Sequence, residues 1–268
     1  VIESVPVPGG RLEVETDGAG PPVVLLHAGV ADRRMWDGVV PALAASHRVI
    51  RPDLRGFGGS PPPAAPYRNA EDLLRVLDAA GLERVALVGA SNGGRVALEF
   101  AATHGARLSS LTLLNAPLLG WDWSDAMETY GDAEEEALER GDIAAAVELN
   151  LDMWVRGPAR PWDDDLRAHA ETLRESMRIA LVNQRLSDEF EESAKPDLAD
   201  DLGAVRTPTL VAVGEADVPD FARIAERLAD GLPDARLRRV DGVGHLPAVE
   251  QPGLTADLLL SFLGEFTN

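Results

Sequence analysis

The stretch that most constrains this chain is Val85-Ala86-Leu87-Val88-Gly89-Ala90-Ser91-Asn92-Gly93-Gly94. A short aliphatic run gives way at once to Arg95-Val96-Ala97-Leu98-Glu99-Phe100, which is spaced as a helix. A strand that turns this sharply into a helix forces the residue at the apex into a strained backbone conformation. Small residues on either side keep neighbouring backbone from colliding, and Gly89, Gly93 and Gly94 supply them. Such a turn holds the Ser91 hydroxyl exposed above a sheet. It also aims the first amides of the following helix, Asn92 among them, at the place where negative charge would develop. Gly-x-Ser-x-Gly alone also fits an ordinary turn with an N-capping serine; the flanking strand and helix are what favour an exposed nucleophile.

Other short, nearly continuous apolar runs lie at 23–27, 48–52, 111–115, 209–214 and 236–241, as expected of strands buried on both faces. A weaker pair at 2–7 and 12–15 reads as an edge hairpin around Gly9-Gly10. Helix-spaced segments at 35–45, 71–80, 93–103, 221–232 and 253–266 alternate with the central runs. Alternation of this kind predicts an α/β fold: a mostly parallel, eight-stranded sheet flanked by helices. Right-handed crossovers then gather the loops after the strands at one edge, where ligands bind.

From about Leu118 to Leu202 the alternation stops and no good strand is visible. This acidic, helical stretch carries Glu134-Glu135-Glu136 and Asp163-Asp164-Asp165, both read as solvated helix starts, and Trp121, Trp123, Trp154 and Trp162. The expected organisation is a core of residues 1–117 and 203–268 with a helical cap inserted at 118–202. The tryptophans are either cap core or pocket wall.

Composition narrows the function classes. A net charge of -20 argues against nucleic acid and anionic membranes as partners. No cysteine is present, which removes thiolate catalysis and cysteine-ligated metals and fits a reducing cytoplasm. No histidine and carboxylate set has metal-ligand spacing, and no phosphate-binding Gly-Lys-Ser/Thr loop occurs, so neither metal nor cofactor is expected.

A serine hydroxyl needs a base to take its proton. Of the five histidines, His47 opens a strand, His104 and His169 sit on polar helical stretches and His27 ends a strand. His245, in Gly242-Val243-Gly244-His245-Leu246-Pro247 after the last strand, falls at the same sheet edge as Ser91 and is the expected base. The acid is expected after the preceding strand, in Gly214-Glu215-Ala216-Asp217. Asp217 fits the reach, with Glu215 and Asp220 as alternatives, Asp220 being read rather as the cap of the helix near Phe221. Its role would be to hold the imidazole tautomer and stabilise the imidazolium.

With these pieces in order, the chain resembles the α/β-hydrolase superfamily, and more narrowly its cap-bearing esterase and haloperoxidase-like branch. His27-Ala28-Gly29 resembles that family's oxyanion turn, with Trp36 at a familiar distance beyond it. Pro52-Asp53-Leu54-Arg55-Gly56-Phe57-Gly58-Gly59-Ser60 resembles its loop after the fourth strand. The resemblance implies an oxyanion hole from the backbone N–H groups of Asn92 and Gly29, and structural roles for His27, Asp53 and Arg55. Ala28 stands where the family has glycine, and Gly29 where it has a bulkier residue.

The expected function is acyl transfer to water: a serine hydrolase cleaving a small-to-medium ester, lactone or thioester through an acyl-enzyme on Ser91. The substrate is expected in a pocket lined by Val30, Trp121, Trp123, Trp154 and Leu246, and the protein as a monomer or homodimer. The same triad also serves carbon–carbon bond hydrolases of β-diketone-like substrates, and a non-hydrolytic lyase or cyclase. An aspartate nucleophile, as in dehalogenases and epoxide hydrolases of this fold, is contradicted by Ser91.

Overall fold

The computed structural model describes residues 1–266, the side chains at 185 and 188 excepted. Eight strands form one sheet: β1 (Ile2–Val7), β2 (Gly10–Asp17), β3 (Pro22–Leu26), β4 (Arg48–Pro52), β5 (Val85–Ala90), β6 (Leu108–Leu114), β7 (Thr209–Gly214) and β8 (Ala235–Val240). Their order is β1-β2-β4-β3-β5-β6-β7-β8. The β1–β2 hairpin joins β4 antiparallel, and all later pairings are parallel. β5 and β7 are buried at every position, which explains their unbroken apolar sequence. The edge strand β8 turns Arg236, Arg238 and Arg239 outward, charges that blunt an open edge.

Side chains of alternate residues enter two cores. Val24, Leu26 and Leu87 pack beneath α2 (Asn69–Ala79), α3 (Asn92–His104) and α7 (Pro219–Gly231). Val23, Leu25 and Val88 pack beneath α1 (Val40–Ala44), α8 (Pro247–Glu250) and α9 (Pro252–Leu263). The loop after β4 is pinned from within. Asp53 accepts from the backbone N–H of Arg33 (2.8 Å) and Gly59 (2.8 Å), and Arg55 pairs with Asp72.

Between β6 and β7 no strand joins the sheet. This segment holds α4 (Asp125–Glu139), α5 (Ile143–Asn150), a π-turn at Leu151–Arg156 and the 27-residue α6 (Asp164–Phe190). α6 buries Leu166, Ala170, Leu173, Met177 and Leu181, one per turn, as an amphipathic helix must. Asp163 caps it by accepting from the Leu166 N–H (2.8 Å).

Three local expectations are corrected. The helix anticipated at 35–45 is broken into a 3-10 turn (Arg33–Trp36) and α1, because Pro41 can donate no backbone hydrogen bond to a preceding turn and so can stand only at the start of α1. Glu134-Glu135-Glu136 lies in the second half of α4, not at a helix start. Asp220 lies inside the first turn of α7 and does not cap it; it accepts from the Ser124 N–H (3.1 Å) and hydroxyl (2.8 Å), tying the start of α4 to the core.

Candidate active site

Ser91 has φ 49° and ψ −121°, a left-handed conformation rare for a residue with a side chain. Such strain costs on the order of 1–3 kcal/mol and persists only where surroundings impose it. Here they do: the Ser91 N–H is held by the Leu114 carbonyl (2.8 Å), and α3 begins on the next residue. A Cβ on Gly89 would strike the carbonyl of Gly93, and one on Gly93 would lie 2.5 Å from the Leu26 carbonyl oxygen. Only glycine allows β5, α3 and the end of β3 to meet so closely.

The loop after β8 brings His245 to this turn. Its Nε2 lies 2.8 Å from Ser91 Oγ, and its Nδ1 lies 2.8 Å from Asp217 Oδ2. A carboxylate acceptor at Nδ1 puts the imidazole proton there and leaves the Nε2 lone pair facing the hydroxyl. His245 and Asp217 are both buried. Asp217 Oδ1 accepts from the Val218 N–H (2.7 Å), so both oxygens are fixed. The two alternatives for the acid are placed elsewhere: Glu215 is exposed and Asp220 serves Ser124.

Two supports of this chain were not foreseen. Asn115, just past β6 and at φ 48°, donates from Nδ2 to Asp217 Oδ2 (2.5 Å). Asn tolerates a positive φ better than most residues, but nothing in the Asn-Ala-Pro tripeptide points to Asp217. Glu250 accepts from the Gly244 N–H (3.0 Å) and Leu246 N–H (3.3 Å) on either side of His245, and pairs with Arg160 (2.5 Å). Only the fold brings Arg160 to the His245 loop.

The N–H groups of Asn92 and Gly29 donate to no protein atom among the described residues, and both residues line the cavity that holds Ser91. The Asn92 side chain accepts from Arg95 Nε (2.9 Å). The turn before Gly29 is fixed by His27, which donates from Nδ1 to the Ala28 carbonyl (2.8 Å) and accepts at Nε2 from the Leu54 N–H (3.0 Å). Burial holds the His27 imidazole below its ordinary pKa, against the pull of Asp53.

The cavity measures about 560 Å³, within the range of small-molecule sites. Of the five residues named from the sequence for the pocket, Val30 and Trp154 line this cavity and Trp121, Trp123 and Leu246 do not. Trp121 is half-buried against the core, Trp123 packs at a tilt on Phe221 (ring centroids 5.7 Å apart) and Leu246 is buried in the core on the α8–α9 side of the sheet. Trp154 instead lies 4.5 Å from the His245 ring, with Phe221 at 4.6 Å. Phe57, Tyr130, Met177, Leu181 and Glu191 complete much of the wall. A wider groove of about 810 Å³ crosses α4, α5 and α6, but its Arg140 and Arg174 pair with its own Glu136 and Glu148. No group of three metal-ligating side chains occurs among the described residues, and no helix there is long and apolar enough to cross a membrane.

A parallel sheet with serine, histidine and aspartate on its loop edge defines the α/β hydrolases. A family model for the alpha/beta hydrolase fold matches residues 21–252, and the chain belongs to that family. The chain is similar to pimeloyl-[acyl-carrier protein] methyl ester esterase of Aeromonas hydrophila subsp. hydrophila, at 29% identity over 94% of this chain and 99% of that protein. It is 30% identical to 2-hydroxymuconate semialdehyde hydrolase of Pseudomonas sp. (strain CF600), over 96% of this chain and 92% of that one. Among solved structures, a thermophilic esterase from Thermogutta terrifontis superposes with a TM-score of 0.80 at 27% identity, with 100% of each chain covered.

Proposed function

We propose that this protein is a serine hydrolase of small-to-medium carboxylic esters, including lactones or thioesters, working through an acyl-enzyme on Ser91. The observation that carries the reading is the hydrogen-bonded chain Asp217–His245–Ser91, each link 2.8 Å, opening into a cavity of about 560 Å³. His245 takes the Ser91 proton as the oxygen attacks the carbonyl carbon. Asp217 holds the imidazole tautomer and stabilises the imidazolium. The N–H groups of Asn92 and Gly29 receive the oxyanion, a contribution of about 10²–10³ in turnover for each donor. The protonated His245 gives its proton to the departing alcohol; it then deprotonates water, which attacks the acyl carbon, and Ser91 regains its proton as the acid leaves.

Residues 118–202 act as the cap of this site, since Trp154, Met177, Leu181 and Glu191 from that segment form one wall of the cavity. The test is turnover of 4-nitrophenyl acetate and butyrate beside a lactone and a β-diketone. Ester or lactone turnover that falls by about 10³-fold or more in Ser91→Ala and His245→Ala supports the reading. Cleavage of the diketone alone would move the assignment to carbon–carbon hydrolysis.

A further inference from the structure

The polar groups of the cavity wall are arranged unequally. Beside Ser91, the guanidinium of Arg95 is already committed. Its Nε donates to Asn92 Oδ1 (2.9 Å), its Nη1 to Glu99 (3.0 Å) and its Nη2 to Glu191 (2.5 Å). One cation therefore faces two carboxylates, and Asn69 Nδ2 donates to Glu191 as well (2.9 Å).

A second polar cluster lies in the cap. Trp154, whose ring covers His245, donates from Nε1 to Tyr130 Oη (2.9 Å). Tyr130 Oη is within reach of Asn150 Oδ1 (2.9 Å) and Glu134 Oε1 (3.2 Å), and Asn150 Nδ2 also donates to Glu134 Oε1. Tyr130, Glu134, Asn150 and Trp154 all line the Ser91 cavity. Glu134 Oε2 accepts no hydrogen bond among the described residues. Burial and then Glu134 itself hold the Tyr130 phenol above its usual pKa, so its proton stays on oxygen.

Glu134 is thus held in place through Oε1 while its other oxygen remains open. No described side chain of this wall offers an uncommitted cation. A substrate carboxylate entering here would meet Glu134 and Glu191 in a partly dehydrated cavity, where like charges are poorly screened. The chain's net charge of -20 adds a long-range barrier to anions.

We propose that the site selects substrates whose end remote from the scissile carbonyl is a hydrogen-bond donor, above all an ammonium group, and discriminates against those ending in a carboxylate. Glu134 is the specificity-determining residue. This selectivity rests on the hydrolase reading above.

The test compares kcat/KM for 4-nitrophenyl esters of 6-aminohexanoic, hexanoic and adipic acids, the last as the half-ester. Measuring in 0.5 M NaCl suppresses steering by the surface charge. The ammonium ester is expected to exceed the carboxylate ester by at least tenfold. Glu134→Gln, nearly isosteric, is expected to reduce that ratio at least fivefold. Thermal shifts with hexylammonium, hexanol and hexanoate read the cavity without turnover. Hexylammonium should stabilise most and hexanoate least, and the order should collapse in Glu134→Gln. If no ester is cleaved, the hydrolase reading falls while the thermal shifts still judge the selectivity. Equal or better use of the carboxylate ester, equal or better stabilisation by hexanoate, or a preference unchanged in Glu134→Gln would overturn the proposal.

Discussion

At the scale of single residues, the site depends on atoms that are missing as much as on those present. Gly93 has no Cβ where one would press on the Leu26 carbonyl, so Gly93→Ala must push β3 and α3 apart. It is expected to lower stability by roughly 2–4 kcal/mol, read as a drop in the urea midpoint. Asn115→Ala removes a donor from the carboxylate that orients His245. We expect kcat for an ester to fall about tenfold, equivalent to ~1.4 kcal/mol, with KM little changed. The roles of Gly89 and Gly93 were legible because a strand–turn–helix of this tightness leaves little alternative. Asn115 was not, because it acts on Asp217, far along the chain; Glu250 lies close to the His245 loop it holds, but its pairing with the distant Arg160 is set only by the fold.

At the scale of elements, the central strands were readable because their burial is two-sided; the run at 236–241, expected to be buried on both faces, is instead the half-exposed edge strand β8. β4 and β7 coincide with the runs at 48–52 and 209–214. Helix edges were less so: the segment at 33–44 breaks ahead of Pro41, a residue visible in the sequence that apolar spacing alone does not weigh. The same limit applies to residues 118–202. The tryptophans there were visible as residues, yet their directions depend on how α4 to α6 fold back. The π-turn at Leu151–Arg156 carries Trp154, whose ring lies 4.5 Å from that of His245, while Trp121 and Trp123, between β6 and α4, lie outside the cavity. π-turns inside helices recur at functional sites. Trp154→Leu is expected to lower kcat several-fold by loosening the imidazole, and Trp154→Phe, which keeps a ring there, to recover part of the loss. Steady-state kinetics on one ester check both.

At the scale of the whole molecule, stability is linked to pH through buried imidazoles. Burial lowers the pKa of His27, and that of His47 in the same direction. Both bind protons more readily when unfolded, so stability rises with pH where the unfolded state holds the extra proton. Their contribution is complete above the unfolded value near 6.5 and is lost as pH falls below it. The urea midpoint at pH 5.5 is expected to lie below that at pH 7.5, and His27→Gln should narrow the gap.

The central claim is that Ser91 is an activated nucleophile, and covalent labelling addresses it most directly. The purified protein is incubated with an activated fluorophosphonate and weighed intact, beside Ser91→Ala and His245→Ala. The account predicts one adduct per chain, absent in Ser91→Ala and formed far more slowly in His245→Ala. A folded protein that gains no adduct, or one labelled equally in Ser91→Ala, would contradict it.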